Sequence, residues 1–458
     1  MSTPASAAPA RWRLAAFASL GVPMAAAGLP LAVYLPPFYA QELGLGLGVV
    51  GAIFMLSRVW DALTDPLVGI LSDRTRTRFG RRKPWIAAGA PVFALAITAI
   101  FMPALFGVQP GAVWLAVWLG ILYLGWTAVQ IPMLAWAGEL ATQYHARSRV
   151  QTFIQVSHAL GLLLVLILPA GLDALAARNG VAASGSLKLA AMAGFVLVLL
   201  GPTLVAALVF NREPPATSAA RGPGVARQLR SALRDPLILR VLASDFAVTL
   251  GQLIRSSLFV FFVSAYMGRP ELAAGLFLLQ FVFGVFAGPI WLKVGYRLGK
   301  HRTAVAGEVA QVAINLALFL VTPETLPLLL ALTVAQGLAQ GSGNLMLRAI
   351  VSDIADKQKL ETGEDRAGLL FSAFSLASKA ATAVAVGVAL PLVAVLGFKP
   401  GAENTVEALL GLKLVFTLGP ALAHAASALL IARFPLDESQ HREIREALAL
   451  RANAQPAE

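Results

Sequence analysis

The sequence contains no cysteine and few charged residues. The absence of cysteine from its 458 residues excludes disulfide bonds, thiolate metal sites and cysteine nucleophiles. Charged residues make up only 13% of the chain, whereas hydrophobic residues make up 58%. The sequence also lacks HExxH, GxSxG and P-loop motifs and shows no compact catalytic constellation. It therefore predicts neither an enzyme nor a bound cofactor.

The main feature of the sequence is a series of long apolar segments. Runs of about 20 residues recur along the chain, which is the length that crosses a bilayer as a helix, and the mean hydropathy is +0.74. We predict an all-α membrane protein with twelve transmembrane helices. The predicted spans are 14–40, 45–72, 84–106, 111–140, 147–174, 186–210, 236–268, 271–298, 301–322, 325–355, 366–396 and 404–434.

The formal net charge of +12 has a topological explanation. Arginine and lysine concentrate in every second loop, most densely in DRTRTRFGRRK after the second span. Cytoplasmic loops carry such an excess, so we predict that both termini are cytoplasmic. A soluble protein with this charge would suggest nucleic acid as a partner, but here we expect none.

A polar stretch, NREPPATSAARGPGVARQLR, divides the chain after the sixth span. Its Pro, Gly, Ala and Arg content is typical of a linker. We predict two six-helix halves, which is an architecture typical of transporters with a site near the bilayer midplane. The predicted segments are a cytoplasmic N-terminus 1–13, a first bundle 14–210, a linker 211–235, a second bundle 236–434 and a cytoplasmic tail 435–458.

The second span carries charges at membrane depth in the stretch RVWDALTDPLVG. Asp61 and Asp65 are four residues apart and share one helix face, and Arg58 can reach that face. Buried carboxylates of this kind mark ion paths or proton relays, and the Thr64 hydroxyl could add an oxygen. Two close carboxylates suit Na⁺ or a shared proton. The alternative is a permanent salt bridge between Arg58 and one Asp, which leaves the second Asp unexplained.

The longer stretch RVWDALTDPLVGILSDRTRTRFGRRKPW resembles the signature of the glycoside–pentoside–hexuronide:cation symporters of the major facilitator superfamily. Looser similarity continues in QIPMLAW, in SDIADKQKLETGEDRAGLLFSAFSLASK and in RFPLDESQHREI, so it covers most of the chain. The resemblance implies the major facilitator fold and alternating access. It also implies coupling to Na⁺ or H⁺.

The resemblance assigns roles to residues that match the family pattern. It implies cation binding by Asp61, Asp65 and Thr127, and Thr64 stands where the best-known member has Asn. Lys379 matches a lysine near that site and would balance the carboxylates together with Arg58 when the cation leaves. The segment after the second span resembles the cytoplasmic gating loop of the superfamily. Its matching residues are Asp73, Arg74, Arg81 and Arg82.

The substrate site departs from the family pattern. Sugar-binding members place charged residues where this chain has Ala25, Gln130 and Gln155. The two glutamines can still donate and accept hydrogen bonds, so a sugar remains possible. We therefore predict substrate binding by a set of uncharged groups. These are Gln130, Gln155, Tyr34, Trp126 and His158.

These observations predict a cation-coupled importer of a sugar or glycoside. One alternative is a symporter of an amphiphile such as a lysolipid with the same cation site, and another is a non-transporting membrane sensor. The expected partners are a small-molecule substrate, the coupling cation and the lipid bilayer. We expect a monomer in the plasma membrane, which for a bacterium is the inner membrane.

Overall fold

The structure is a computed structural model that describes residues 10–140, 144–179, 183–213, 235–363, 367–436 and 438–454. Within these ranges the chain is helical, and no strand is assigned apart from one isolated β-bridge between Thr77 and Gly80. The all-α prediction is confirmed for this part of the chain.

The first span, α1, covers Arg11–Glu42 and is not a uniform α-helix. It contains two π-helical turns, Pro30–Tyr34 and Phe38–Glu42. A proline has no backbone N–H and cannot continue the regular ladder of hydrogen bonds, so the Pro-rich sequence around these turns explains the widened helix. The following helices are α2 Leu47–Arg74, α3 Lys83–Phe101, α4 Ala112–Glu139, α5 Tyr144–Arg178 and α6 Gly185–Phe210.

The second half of the sequence repeats this pattern of long helices. A π-helical turn, Phe262–Tyr266, follows directly after α7. A further helix, α13, follows the last apolar span in the predicted tail. The helices are α7 Pro236–Phe261, α8 Ala273–Leu298, α9 Lys300–Ala317, α10 with two segments Leu326–Ala339 and Ser342–Thr362, α11 Ala367–Val395, α12 Val406–Ile431 and α13 Glu438–Ala454.

The tenth span differs from the continuous helix expected over 325–355. Gln340 is extended and Gly341 is left-handed at φ +82°, so α10 is broken into a 14-residue and a 21-residue segment. Glycine tolerates that backbone conformation, whereas side chains with a Cβ rarely adopt it. Eleven helices among the described residues are long and apolar enough to cross a membrane. The broken α10 is the remaining span, which is consistent with the twelve predicted.

The chain forms two compact units. The first contains Met1–Ser218, Phe259–Leu278 and Leu390–Ala408. The second contains the intervening segments and the C-terminal residues. Of the predicted linker 211–235, residues 214–234 lie outside the described ranges, as do residues 1–9 of the predicted N-terminus. The predicted domain boundaries stay predictions.

An apolar cluster forms the core of the second unit near the predicted cytoplasmic ends of its helices. Ile238 and Val241 of α7 pack there with Ile350 and Ile354 of α10 and with Phe374 of α11, and all five are buried. Burying aliphatic and aromatic groups in this way stabilises the packing of the helices that carry them.

Candidate functional site

The predicted cation-site carboxylates lie on α2, which runs alongside α4. Trp60 Nε1 donates a hydrogen bond of 3.1 Å to the Gly120 carbonyl, and two turns later Gly69 faces the Ile131 side chain. The contacts advance in the same direction along both helices, so α2 and α4 are parallel. This alignment places Thr127 of α4 opposite the two aspartates.

Two glycines hold α4 in this position by allowing α3 to come close. A Cβ at Gly89 of α3 would lie 2.7 Å from Ala128 Cβ, and a Cβ at Gly125 would lie 2.7 Å from the Phe93 backbone nitrogen. Such distances are too short for a real Cβ, so the close α3–α4 packing requires glycine at both positions. Thr127 lies between these contacts in sequence and is fully buried.

Three oxygens converge between α2 and α4. The Thr127 hydroxyl lies 3.2 Å from Asp61 Oδ1 and 3.0 Å from Asp65 Oδ1. The threonine hydroxyl carries one hydrogen, which it donates to one of these acceptors or shares between both. Two carboxylates placed this close together are suited to a shared proton or a cation. Asp61 is 6% exposed, whereas Asp65 is only partly buried.

The other residues predicted around this pair have different contacts. The Thr64 hydroxyl donates to the Asp61 backbone carbonyl at 3.1 Å, so its hydrogen is directed to the helix backbone. The Arg58 guanidinium lies over the Tyr123 ring, 4.8 Å from its centroid. Among the described residues Arg58 makes no ion pair with either aspartate. The salt-bridge explanation for the charges is therefore not supported.

Lys379 belongs to the second unit, whereas Asp61 and Asp65 belong to the first. It lines a cavity of about 370 Å³ together with Arg348, Ser378 and Thr382. Its predicted role in balancing the carboxylates stays a prediction.

Two predicted substrate residues present buried polar atoms. Tyr34 Oη, in the first π-helical turn of α1, and Gln130 Oε1 of α4 have no hydrogen-bond partner among the described residues. A buried polar atom without a partner costs free energy, so such atoms are retained where a ligand or water completes them. Gln130 follows Thr127 by three residues and lies on the same face of α4.

The remaining predicted substrate residues have mixed environments. Trp126 packs edge to face on Phe93, with centroids 5.6 Å apart, and its ring also faces Gly28 of α1. The His158 ring of α5 lies against Gly21 of α1, where a Cβ would be 2.8 Å from His158 Cδ2. Gln155 is exposed on the surface of α5. Trp126 and His158 therefore contribute to packing against α1, whatever else they bind.

The predicted gating loop contains an ion pair, and its backbone amides bind a carboxylate from after α6 that sequence reasoning missed. Arg82, 5% exposed, pairs with Asp73 at 2.5 Å. Glu213, directly after α6, accepts backbone N–H bonds from Arg81 at 3.0 Å and from Arg82 at 2.9 and 3.0 Å. These amides precede α3, where helix N–H groups have no partner within the helix. Arg74 is exposed.

The second unit has polar groups at membrane depth that form hydrogen bonds across helices. Asn344 of α10 donates to Asp245 Oδ1 at 2.9 Å, and Ser378 of α11 donates to Asp245 Oδ2. Arg255 does not pair with Asp245, and instead donates to Gln280 Oε1 at 3.1 Å. Among the described residues no group of three or more His, Cys, Asp or Glu side chains could hold a metal ion.

Long apolar helices with oxygens facing each other at depth define an integral membrane protein of the transporter class. Residues 16–438 match the family described as MFS/sugar transport protein, so the chain belongs to this family of the major facilitator superfamily. The predicted family and fold are confirmed. The protein is a secondary transporter and not an enzyme.

Known relatives cover almost the whole chain. A putative glycoside/cation symporter, YagG of Escherichia coli strain K12, is 25% identical over 424 residues, which cover 91% of this chain and 90% of the relative. The sodium-dependent lysophosphatidylcholine symporter 1 of Gallus gallus is 22% identical and covers 93% of this chain and 87% of its own. The solved structure of the nucleoside transporter NupG matches with a TM-score of 0.67 at 11% identity, covering 93% of this chain and 99% of that one. The last similarity shows the fold alone.

Proposed function

We propose that this transporter imports a sugar or glycoside together with Na⁺ or H⁺, and that Asp61, Asp65 and Thr127 bind the coupling cation. The convergence of two carboxylate oxygens and one hydroxyl between α2 and α4 carries the proposal, because three hard oxygens meet there inside a membrane-spanning segment. Hard oxygens suit Na⁺, and a carboxylate pair can equally share a proton. The name of the E. coli relative supports the glycoside and the cation.

The cation supplies the driving force for uptake. Moving one elementary charge across 100 mV releases about 2.3 kcal/mol, which the protein can use only if cation and substrate move in the same cycle. A bound cation neutralises one carboxylate on α2. It therefore stabilises the conformation in which Asp61 and Asp65 lie close together. By linkage, a substrate that favours the same conformation tightens cation binding by the same factor.

We propose that the substrate is uncharged and binds on α4 beside the cation site. Gln130 Oε1 and Tyr34 Oη are buried polar atoms without a partner in the described part of the chain, and a sugar hydroxyl can donate to the first and accept from the second. Gln130 lies one turn from Thr127, so substrate and cation would act on the same turn of one helix. Trp126 offers an apolar face for a sugar ring.

The test separates accumulation from exchange in proteoliposomes. A ligand-induced thermal-shift screen over methyl glycosides, disaccharides and lysophosphatidylcholine, with and without Na⁺, first selects a substrate. Asp61→Asn and Asp65→Asn should then abolish accumulation against a gradient while downhill exchange of that substrate continues. Ser57→Ala is the matched control, because Ser57 is buried on α2 and, in the described part of the chain, bonds only the Ile53 carbonyl, at 2.7 Å. Normal accumulation by both Asn variants would refute the cation site.

An amphiphile is the second candidate substrate. The similarity to a lysophosphatidylcholine symporter favours it, and the absence of a charged clamp at Ala25, Gln130 and Gln155 is compatible with it. Stabilisation by lysophosphatidylcholine and not by any sugar in the screen would select this candidate. The cation-site test is the same for both.

We further propose that the chain lies in the bacterial inner membrane as a monomer, with both termini cytoplasmic and no nucleic-acid partner. The dense basic loop after α2 supports this orientation. Reporter fusions at Arg82 and Pro110 should report opposite sides of the membrane, with Arg82 inside. Two fusions that report the same side would contradict the topology.

A further inference from the structure

The second unit contains a buried acid–imidazole pair outside the proposed cation site. Glu308 of α9 and His424 of α12 are 2% and 1% exposed, and His424 Nδ1 lies 2.6 Å from Glu308 Oε2. Both residues lie inside apolar spans, where ionisable groups are expensive and are retained mostly for function. The cation-site residues of α2 and α4 belong to the other unit, so this pair is a separate site.

The neighbouring helices leave room for this pair by presenting glycine. A Cβ at Gly343 of α10 would collide with Glu308 Oε1, and a Cβ at Gly251 of α7 would lie 3.2 Å from His424 Nε2. Ser244 and Ser427 form a hydrogen bond of 2.7 Å between α7 and α12 close to the pair. Side chains larger than hydrogen at the two glycines would displace either the carboxylate or the ring.

The break in α10 is part of the same arrangement. The second segment begins at Ser342, and Glu308 Oε1 lies beside its second residue, Gly343. The positive end of a helix dipole favours a carboxylate there. The charged groups of the adjacent helices are Asp245 of α7, which interacts electrostatically with Glu308, and Arg348 of α10, which interacts with Asp245. Asp245 is itself held by Asn344 and Ser378.

The contact of 2.6 Å requires at least one proton between nitrogen and oxygen. With one proton the pair is a neutral imidazole that donates from Nδ1 to a carboxylate, and it carries one negative charge. A second proton can add at Nε2, which faces Gly251, or at Glu308 Oε1, which faces Gly343. The product is an imidazolium–carboxylate pair in the first case and a neutral imidazole with a carboxylic acid in the second, and neither carries net charge. In an apolar interior these two states differ in electrostatic cost, so a change in packing or solvent access shifts the proton between site and water.

We propose that Glu308 and His424 form an exchangeable proton-binding site, whose occupancy depends on the packing of α9, α10 and α12. The glycine contacts at α7 and α10 link the site to the break in α10, so movement at the break changes the environment of the carboxylate. The site acts whether the cation on α2 is Na⁺ or H⁺. It therefore makes transport respond to pH through a second unit of the same chain.

Protons alone are a sufficient probe, so no substrate needs to be known. The full-length protein in proteoliposomes is adsorbed on a solid-supported membrane, and a pH jump displaces charge as buried groups bind protons. The D61N/D65N variant serves as the background because it silences the proposed cation site. This background should retain a transient charge, and adding H424Q/E308Q should remove it, since two amides keep a hydrogen bond but bind no proton. The matched control is S244A/S427A, which breaks the neighbouring α7–α12 bond without removing a titratable group and should keep the transient.

A second variant covers the case in which the double amide does not fold. Glu308→Asp keeps a titratable pair but shortens the side chain, so it should shift the midpoint pH of the transient in the same background. The proposal is overturned if H424Q/E308Q leaves the transient intact, if the D61N/D65N background has none, or if Glu308→Asp leaves the midpoint unchanged. Every comparison is made in the D61N/D65N background. A wrong assignment of the cation site therefore does not change the result expected for Glu308 and His424.

Discussion

Thr127 Oγ1 lies 3.0 Å from Asp65 Oδ1, although the residues are 62 positions apart in sequence. The hydroxyl therefore fixes the distance between α2 and α4 where the cation is proposed to bind. Thr127→Val keeps the shape but removes the oxygen. A hydrogen bond to a charged group contributes about 1.5–3 kcal/mol, so cation affinity should fall roughly 10- to 100-fold. Isothermal titration with Na⁺, or the pH dependence of binding if the ion is H⁺, measures this loss.

Thr127→Ser is the matched control for that substitution. Serine keeps the hydroxyl at the same branch position and should retain most of the affinity. Equal affinity in the Val and Ser variants would show that the hydroxyl is not a ligand.

Gln130 and Gln155 provide a test of the substrate site. Gln130 Oε1 is buried without a partner, whereas Gln155 is exposed on α5. Gln130→Ala should weaken substrate binding about 3- to 10-fold, because a neutral hydrogen bond contributes about 0.5–1.5 kcal/mol. Cation binding measured on the same sample should stay close to the parent value.

Gln155→Ala gives the corresponding test on α5. A loss in both variants places substrate between α4 and α5, and a loss only in Gln130→Ala restricts it to α4. Unchanged substrate affinity in both would remove the two glutamines from the site.

Glu213 provides a test of stability at the start of α3. Its side chain is 5% exposed and its two oxygens accept several backbone N–H bonds. Glu213→Gln removes the charge and one acceptor, so the free energy of unfolding should fall by about 1–3 kcal/mol. Thermal unfolding of the detergent-purified protein measures the change. The control Arg212→Gln alters an exposed neighbouring residue and should leave the unfolding midpoint unchanged. A Glu213→Gln variant that unfolds at the same temperature as the parent would contradict the structure.

Asp353 of α10 connects the tail helix to the second unit. It pairs with Lys300 at 2.6 Å and with His441 of α13 at 3.2 Å, and it is 8% exposed. Asp353→Asn should loosen α13, which hydrogen–deuterium exchange would report as faster exchange of its amides. Glu438→Gln breaks only the exposed pair with Arg442 and should leave that exchange unchanged. Equal protection of α13 in both variants would mean that Asp353 does not hold it and would leave the pairs of His441 and Arg445 with Asp356.

Local sequence patterns were sufficient for part of the site. The four-residue spacing of Asp61 and Asp65 fixes a common helix face, so their proximity follows from helix geometry alone. Thr127 came only from the family resemblance, because nothing in α4 itself indicates which face meets α2. The spans followed from hydropathy for the same local reason.

Contacts between distant segments were not predictable in this way. Nothing near Glu213 indicates that its partners are Arg81 and Arg82, more than 130 positions earlier. Glu308 and His424 are 116 positions apart, and each alone resembles an isolated polar residue in an apolar run. The break in α10 did leave a local signal, the glycines of QGSGN, which the hydropathy of the flanking residues outweighed.

The position of Glu213 also has a consequence for biosynthesis. The amides at the start of α3 are made early, but the carboxylate that accepts them follows α6 and emerges only after the sixth span has been translated. Until then the start of α3 has no such acceptor and depends on water. The start of α3 is therefore completed by one of the last residues of the first six spans to leave the ribosome, so a nascent chain that stops before residue 213 cannot form this corner of the protein.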